Sequence, residues 1–313
     1  MSSGQQPLTA QATRLKLRTA IGRYGQTAAL RDGRTVPDRA VLDHVEVEPI
    51  GNAFPVMCRD LAFDVSEMSI TAYLTARVYG KGFTALPVFP LPVFPQPHAA
   101  LAVATASGVT RPKELEGKAV VERAYARTVG LWVRGLLMHD YGVDINTVTW
   151  VGVEEEHVPE YAPDAPPNVR PRFGAGMAEL LLGGEVAAGI AVGAREGIAP
   201  LIPDARSAAI DYYRRTGIYQ INHTVVVKDT LLQAHPWLGR SLYRAFAAAK
   251  QAWLDGGPDT SPAIELGLPG NDPLPYGIDA NRASLEALVR FAHEQRVTPR
   301  RYSVEDLFPL AVE

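Results

Sequence analysis

Sulfur chemistry is nearly missing from this chain. One cysteine, Cys58, occurs among 313 residues. A single thiol excludes an internal disulfide framework and a CxxC zinc site, and a lone cysteine of this kind reads as a small buried apolar residue. Long apolar runs are missing too. None approaches the ~18 residues of a membrane span, so no membrane partner is expected. Residues 1–13, MSSGQQPLTAQAT, lack the apolar stretch of a secretory signal. They read as a disordered arm, and the expected location is cytoplasmic. Positive charge is not in excess: 31 Lys and Arg against 34 Asp and Glu leave a net charge of −3. Adjacent arginines occur only at 214–215 and 300–301, so no nucleic-acid partner is expected. Gly174 and Gly176 lack GxGxxG spacing and do not directly follow a strand, which excludes a dinucleotide or P-loop site.

What is present is the composition of an ordinary globular protein, 47% hydrophobic and 21% charged. At roughly 150 residues per domain, the length allows two lobes. The centre of the chain is LPVFPLPVFPQPH, residues 86–98, in which LPVFP occurs twice. Its prolines exclude helix interior and central strand, and its apolar character sets it apart from a flexible linker. It reads either as the wall or hinge of a cleft or as a rigid surface connection.

Strands are expected at 15–21, 45–50, 62–65 and 85–89, alternating with helices at 26–31, 54–61 and 70–79. That order implies a parallel-type α/β lobe. A second set has strands at 99–106, 118–122, 148–153 and 186–192 and helices at 128–141 and 176–182. Residues 154–173, with five prolines and three successive glutamates, read as a long solvated loop with His157 on the surface. A helix at 205–215, a strand at 219–228 carrying His223, a helix at 229–253 interrupted near Pro236, and an amphipathic helix at 281–295 follow. The expected fold class is α/β, two-lobed and periplasmic-binding-protein-like (type II), with a cleft between lobes. Residues 14–98 with 225–313 would form one lobe and 99–224 the other.

Several runs carry a resemblance. FDVSEMS at 63–69, LPVFP at 86–90, WVRG at 132–135, HTVV at 223–226, YGI at 276–278 with Asn281 and Arg282, HEQ at 293–295, and Gly22-Arg23-Tyr24 with Thr27 and Leu30 occur in an order that resembles the 4,5-dihydroxyphthalate decarboxylase family. The resemblance spans residues 14–310. It implies the type II periplasmic-binding-protein fold, a cytoplasmic aromatic decarboxylase and a small aromatic carboxylate as substrate. The chain also departs from that pattern. Two family arginines are absent from 91–97, although Phe94 and, past a short insertion, His98 hold family positions. Gln26 and Ala124 replace an arginine and an acidic residue, while Arg123 and Arg127 flank Tyr125. Dianionic phthalates call for arginines. The expectation is therefore that residues 91–97 line or rim the cleft and favour a less charged substrate.

Decarboxylation of an electron-rich hydroxylated ring needs no electron-sink cofactor. A general acid protonates the ring carbon that bears the carboxylate, and CO₂ leaves. No cofactor is expected. His223 is the first candidate for the acid and His98 the second, with Glu67 after a strand end as the third catalytic candidate. Glu67, His98 and His223 together would resemble a His/His/carboxylate ligand set, but their spacing is not a metal motif and no metal is expected. Arg23 and Tyr24 follow the first strand. Ser66 and Ser69 would donate to a carboxylate or cap a helix. Arg123, Tyr125, Arg127 and Thr128 surround a helix start, where anions are attracted. Arg195 follows the 186–192 strand, near a family arginine position. Arg134, mid-helix, reads as a structural salt bridge. Two alternatives stay open: a non-catalytic binding protein for a small aromatic or carboxylate ligand, and an enzyme of pyrimidine or menaquinone-precursor synthesis. The oligomeric state, a homo-oligomer included, is also open.

Overall fold

A computed structural model describes residues 14–91, 96–268, 272–273, 275–310 and 312. The first stretch runs β1 (Leu15–Ala20), α1 (Ala28–Arg31), β2 (Ala40–His44), α2 (Ala53–Asp60), β3 (Val65–Ser69), α3 (Ile70–Val78) and β4 (Phe83–Leu86). The middle runs α4 (Gln96–Ala100), β5 (Leu101–Ala104), β6 (Ala119–Glu122), α5 (Thr128–His139), β7 (Thr149–Gly152), β8 (Val169–Pro171), α6 (Met177–Leu182), β9 (Ala188–Ile190), β10 (Ile198–Pro200) and α7 (Ala205–Thr216). The return comprises β11 (His223–Lys228), α8 (Asp229–Ala234), α9 (Leu238–Asp255), α10 (Ser261–Leu266), α11 (Arg282–Glu294) and α12 (Val304–Leu307).

These strands make two sheets, ordered β2-β1-β3-β11-β4 and β10-β5-β9-β6-β7-β8. In the first, β1 is parallel to both neighbours. The sheet is mixed rather than parallel, because β11 comes back from the second sheet and inserts antiparallel between β3 and β4. The second sheet is mixed as well: β5 runs antiparallel to β9 and β10, while β6, β7, β8 and β9 pair in parallel.

The inserted strand corrects the local sequence reading. A strand was expected at 62–65, but β3 is Val65–Ser69. Five residues of β11 pair with it, with His223 opposite Ser69 and Val225 opposite Glu67. Ser66, Glu67 and Ser69 therefore stand within a central strand and not in the loop after one. The strand expected at 45–50 does not form. β2 ends at His44, its last residue paired with β1, opposite Thr19, and Pro49 has no N–H to extend a ladder. Residues 99–100 close α4 instead of opening a strand. Residues 219–222 precede β11, which begins at His223, opposite Ser69, the last residue of β3.

Helix α9 shows how the first sheet is covered. Leu238, Leu242, Ala245, Phe246 and Ala249 fall on one helical face and are buried against Leu17, Leu86, Val88, Val225 and Val227. Each large side chain buried there contributes about 1.5–3 kcal/mol. Helix α5 is buried over most of its circumference and packs on α3, α4 and α11. Gly135 allows the close approach of α11, since a Cβ there would run into the Phe291 ring. Arg134 lies inside this packing. It donates to both oxygens of Glu122 at 2.6 Å, to Gln295 Oε1 at 2.8 Å and to the Tyr125 carbonyl at 2.5 Å. Burial pushes the Glu122 carboxyl up and Arg134 pulls it back.

The chain passes to the second sheet through α4 and returns through α7, and the two passages touch. His98 in α4 is fully buried with its ring edge-on to Tyr212 of α7, centroids 5.5 Å apart. Among the described residues, neither ring nitrogen has a partner. Burial pushes its pKa down to about 4, with Asp140 opposing and Arg215 adding to the shift.

Removing one member of the buried ion pair strands the other. Arg134→Met is expected to lower the unfolding free energy by ~3–5 kcal/mol in urea titration, and the paired Glu122→Leu/Arg134→Met variant to recover most of that loss. His98 has a different signature. The unfolded chain takes up a proton near pH 6.5, whereas the folded one refuses it until about 4. The contribution of His98 is thus complete above pH 6.5 and is lost as pH falls through that window. The unfolding free energy should decline there with a slope of up to ~1.4 kcal/mol per pH unit, and His98→Phe should flatten it.

Candidate active site

The cleft is built on the carboxyl end of β3 and the start of β11. At the heart of it, His223 Nδ1 meets Glu67 Oε1 at 2.6 Å. Glu67 is fully buried and accepts two more bonds, from the Tyr24 hydroxyl at 2.8 Å and from the Gly22 N–H at 2.9 Å. With those groups donating, Glu67 is the acceptor, Nδ1 carries the donated hydrogen, and Nε2 is the nitrogen left to meet a ligand. Burial, and then the charge of Glu67, push the Tyr24 hydroxyl well above its ordinary pKa. Phe54, from α2, stands edge-on to the His223 ring with centroids 4.9 Å apart, and edge-on to His157 at 5.8 Å.

A cavity of about 570 Å³ opens beside His223, within the range of small-molecule sites. Its lining includes Asn52, Phe54, Arg59 and Ser69 from the first stretch, Arg123, Arg127, Thr128, Glu154 and His157 from the second, and Asn222 with His223. The N-terminus of α5 faces it. Arg127 is the N-cap and no side chain caps the helix, so the N–H groups of Thr128, Val129 and Gly130 have no intrahelical partner. All three residues line the cavity. Thr128 Oγ1 bonds Ser69 Oγ at 2.8 Å and Thr71 Oγ1 at 2.9 Å, tying α5 to the first sheet. The Ser69 hydroxyl makes no capping bond to α3.

The arginines here are already engaged. Glu154 accepts from Arg123 Nε at 2.7 Å and from Arg127 Nη2 at 2.8 Å. Arg127 Nη1 also contacts the His157 ring. Burial, with Arg127 beside it, pushes His157 down to about 2, so the ring is neutral and accepts. Arg59 donates to Glu155 at 3.0 Å. Glu156 accepts from the Ala126 N–H at 3.2 Å, while burial pushes its carboxyl up.

The structure thus brings Glu67, Tyr24, Ser69, Arg123, Arg127, Thr128 and His223 to one place. Other expected residues stand elsewhere. His98 does not line the cavity; it is buried between the passages, because its helix faces α5 and α7. Ser66 is on the opposite side of β3 from Glu67 and bonds the Glu67 carbonyl at 2.8 Å. Tyr125 is buried in the core, where its hydroxyl donates to the Gln295 carbonyl at 3.2 Å. Arg23 pairs with Glu46, and Arg195 with Glu179; both are exposed and neither lines the cavity. Phe94 falls outside the described residues, as do 92–95 of the segment expected to rim the cleft.

Sequence reasoning missed the loop after β7. His157, read as a surface residue, is only 7% exposed, and Glu154 and Glu156 line the cavity instead of a solvated loop. Three adjacent glutamates look solvated unless cations from β6 and α5 are placed opposite them. The available signal was position, since loops at the carboxyl ends of sheet strands are where α/β proteins meet ligands. Among the described residues, no group of three or more His, Cys, Asp or Glu could hold a metal ion, and no helix is long and apolar enough to cross a membrane.

Two mixed sheets joined by two passages, with a cleft at the strand ends, make a periplasmic-binding-protein-like fold. The aliphatic sulphonate binding protein SsuA from Escherichia coli superposes with a TM-score of 0.53 over 94% of this chain and 91% of that one, at 12% identity. A DszB mutant in complex with biphenyl-2-sulfinic acid gives 0.51 over 96% and 97%, at 15% identity. No family model matches the chain. In sequence, the chain is a homologue of 4,5-dihydroxyphthalate decarboxylase from Comamonas testosteroni, 28% identical over 329 aligned positions covering 96% of this chain and 98% of the relative.

The helix N-terminus depends on Gly130. A Cβ there would meet Glu122 Oε2 and Arg134 Nη1. Helix propensity alone favours alanine by ~1 kcal/mol, but the contact is with a buried ion pair that cannot yield cheaply. Gly130→Ala is therefore expected to lower stability by ~1–3 kcal/mol in thermal unfolding and to weaken carboxylate binding.

Proposed function

We propose that the protein is a carboxy-lyase that removes CO₂ from a hydroxylated aromatic carboxylate of the 4,5-dihydroxyphthalate type. The observation that carries this reading is the buried Glu67–His223 pair beside a cavity whose other side is the α5 N-terminus and Arg127. The homologous decarboxylase supports it independently.

One carboxylate of the substrate would be held at the α5 N-terminus and Arg127, where free N–H groups and a guanidinium complement an anion. The ring would lie against Phe54, placing the carbon that bears the second carboxylate near His223. His223, protonated and oriented by Glu67, gives its Nε2 proton to that carbon. The ring hydroxyls stabilise the resulting cation, the carbon–carboxylate bond breaks, and its electron pair restores the aromatic ring as CO₂ departs. His223 then regains a proton from solvent. The net change is one proton consumed and one CO₂ released. Glu67, held by Tyr24 and Gly22, keeps the imidazole in one orientation.

The test is CO₂ release from a panel of hydroxylated benzoates and phthalates. His223→Gln is expected to slow release ~10²–10⁴-fold, with ligand binding by calorimetry retained. Unchanged turnover in that variant would remove the acid assignment. Binding by the wild-type protein with no release from any panel member would instead favour a non-catalytic binding protein.

A further inference from the structure

Arg127 is a mostly buried cation, its side chain 19% exposed, and a cation in such a place needs a counter-charge. The groups around it narrow the choice. His157 is neutral and offers Arg127 a ring nitrogen but no counter-charge. Glu156 is committed to the Ala126 N–H, and Glu155 to Arg59. Glu122 is taken by Arg134. Glu154, at 2.8 Å, is the acidic side chain in direct contact with Arg127 among the described residues. It is also the more exposed partner, at 39%. Returning this carboxylate to water costs less than moving the guanidinium, and Arg123, 58% exposed, can follow it outward as an ion pair. Arg127 Nε meanwhile is buried and has no partner among the described residues, and the N–H groups of Thr128, Val129 and Gly130 stand beside it on the cavity.

We propose that Glu154 is an internal stand-in for the ligand: it occupies the carboxylate seat on Arg127, and a substrate carboxylate binds by displacing it. This deepens the decarboxylase reading and rests on that reading for the class of ligand. Exchange has a measurable cost. The affinity seen for a carboxylate is its intrinsic affinity reduced by the fraction of molecules in which Glu154 has already left. Glu154 therefore sets a threshold: a weakly basic or poorly oriented anion fails to displace it, whereas a carboxylate that also reaches the α5 N-terminus succeeds. His157 holds Arg127 in place during the exchange, so the guanidinium stays at the seat when Glu154 swings away.

Calorimetry with benzoate and phthalate, which lack the ring hydroxyls that the chemistry needs, tests the seat apart from turnover. Glu154→Gln should bind both about tenfold or more tightly than the wild type, and Glu154→Asp, whose shorter carboxylate reaches Arg127 less well, should fall between. The gain should vanish in Arg127→Gln/Glu154→Gln. Equal or weaker binding by Glu154→Gln and Glu154→Asp would overturn the proposal, because Glu154 would then be organising the arginines instead of occupying their seat. CO₂ release from 4,5-dihydroxyphthalate is scored separately. A protein that shows the Glu154 effect on benzoate but releases no CO₂ retains the seat and loses the decarboxylase reading.

Discussion

Everything at the cleft depends on one ladder, the antiparallel pairing of β11 with β3. It holds Val65–Ser69 extended through the middle of the first sheet. It also brings His223 back across some 150 residues of chain to within hydrogen-bonding distance of Glu67. Strand alternation then decides which side chains share a face: Glu67 and Ser69 point one way and Ser66 the other. A slip of one residue would turn Glu67 away from His223 and put Ser66 in its place. The ladder is protected on both sides, by β1 and β4 in the sheet and by the apolar face of α9 against Val225 and Val227. The hydrophobic effect that stabilises the first lobe is thus also what fixes the register of the site.

The second constraint is the cost of burying charge. Helix α5 places Arg134 in the core and its N-cap, Arg127, at the cavity, about two turns away. Arg134 is fully buried and permanently satisfied by Glu122, Gln295 and a carbonyl. Arg127 is less deeply buried, leans on a neutral histidine, and shares a glutamate with a second arginine. The same residue type therefore serves as a locked structural pair at one depth and as an exchangeable anion seat at another. The difference lies in burial and in how many partners each guanidinium has.

Much of the architecture was legible in local pattern. The helix expected at 128–141 formed as α5, ending at His139, the break at Pro236 separated α8 from α9, and the apolar spacing of 281–295 marked α11. The tandem α/β order pointed to two sheets. What local pattern could not show was β11 entering the first sheet, which moved β3 by several residues and made that sheet mixed. The candidate site divided along the same line. His223, Ser69 and the arginines around α5 sit at strand ends or at a helix start, where local pattern points, whereas Glu67, expected just after a strand end, lies in the middle of β3. Tyr125, His98 and Arg195 lie close to such features in sequence, yet packing turned the first two inward and left the third on the surface. His157 was misread because its burial depends on Phe54 and Arg127, which come from other elements.

Taken alone, the sequence determined the class of fold, the absence of a disulfide framework, the residue types available for acid chemistry and anion binding, and the likeness to an aromatic decarboxylase. Those properties follow from composition, periodicity and short motifs, which act over a few residues. The tertiary structure alone decided that Glu67 is the partner of His223, that His98 is a buried packing residue, and that Glu154 sits on the arginines. Each of these depends on contacts between segments far apart in the chain. Such contacts are selected by long-range strand pairing and by the requirement that every buried charge find a counter-charge, and neither is written in any local window.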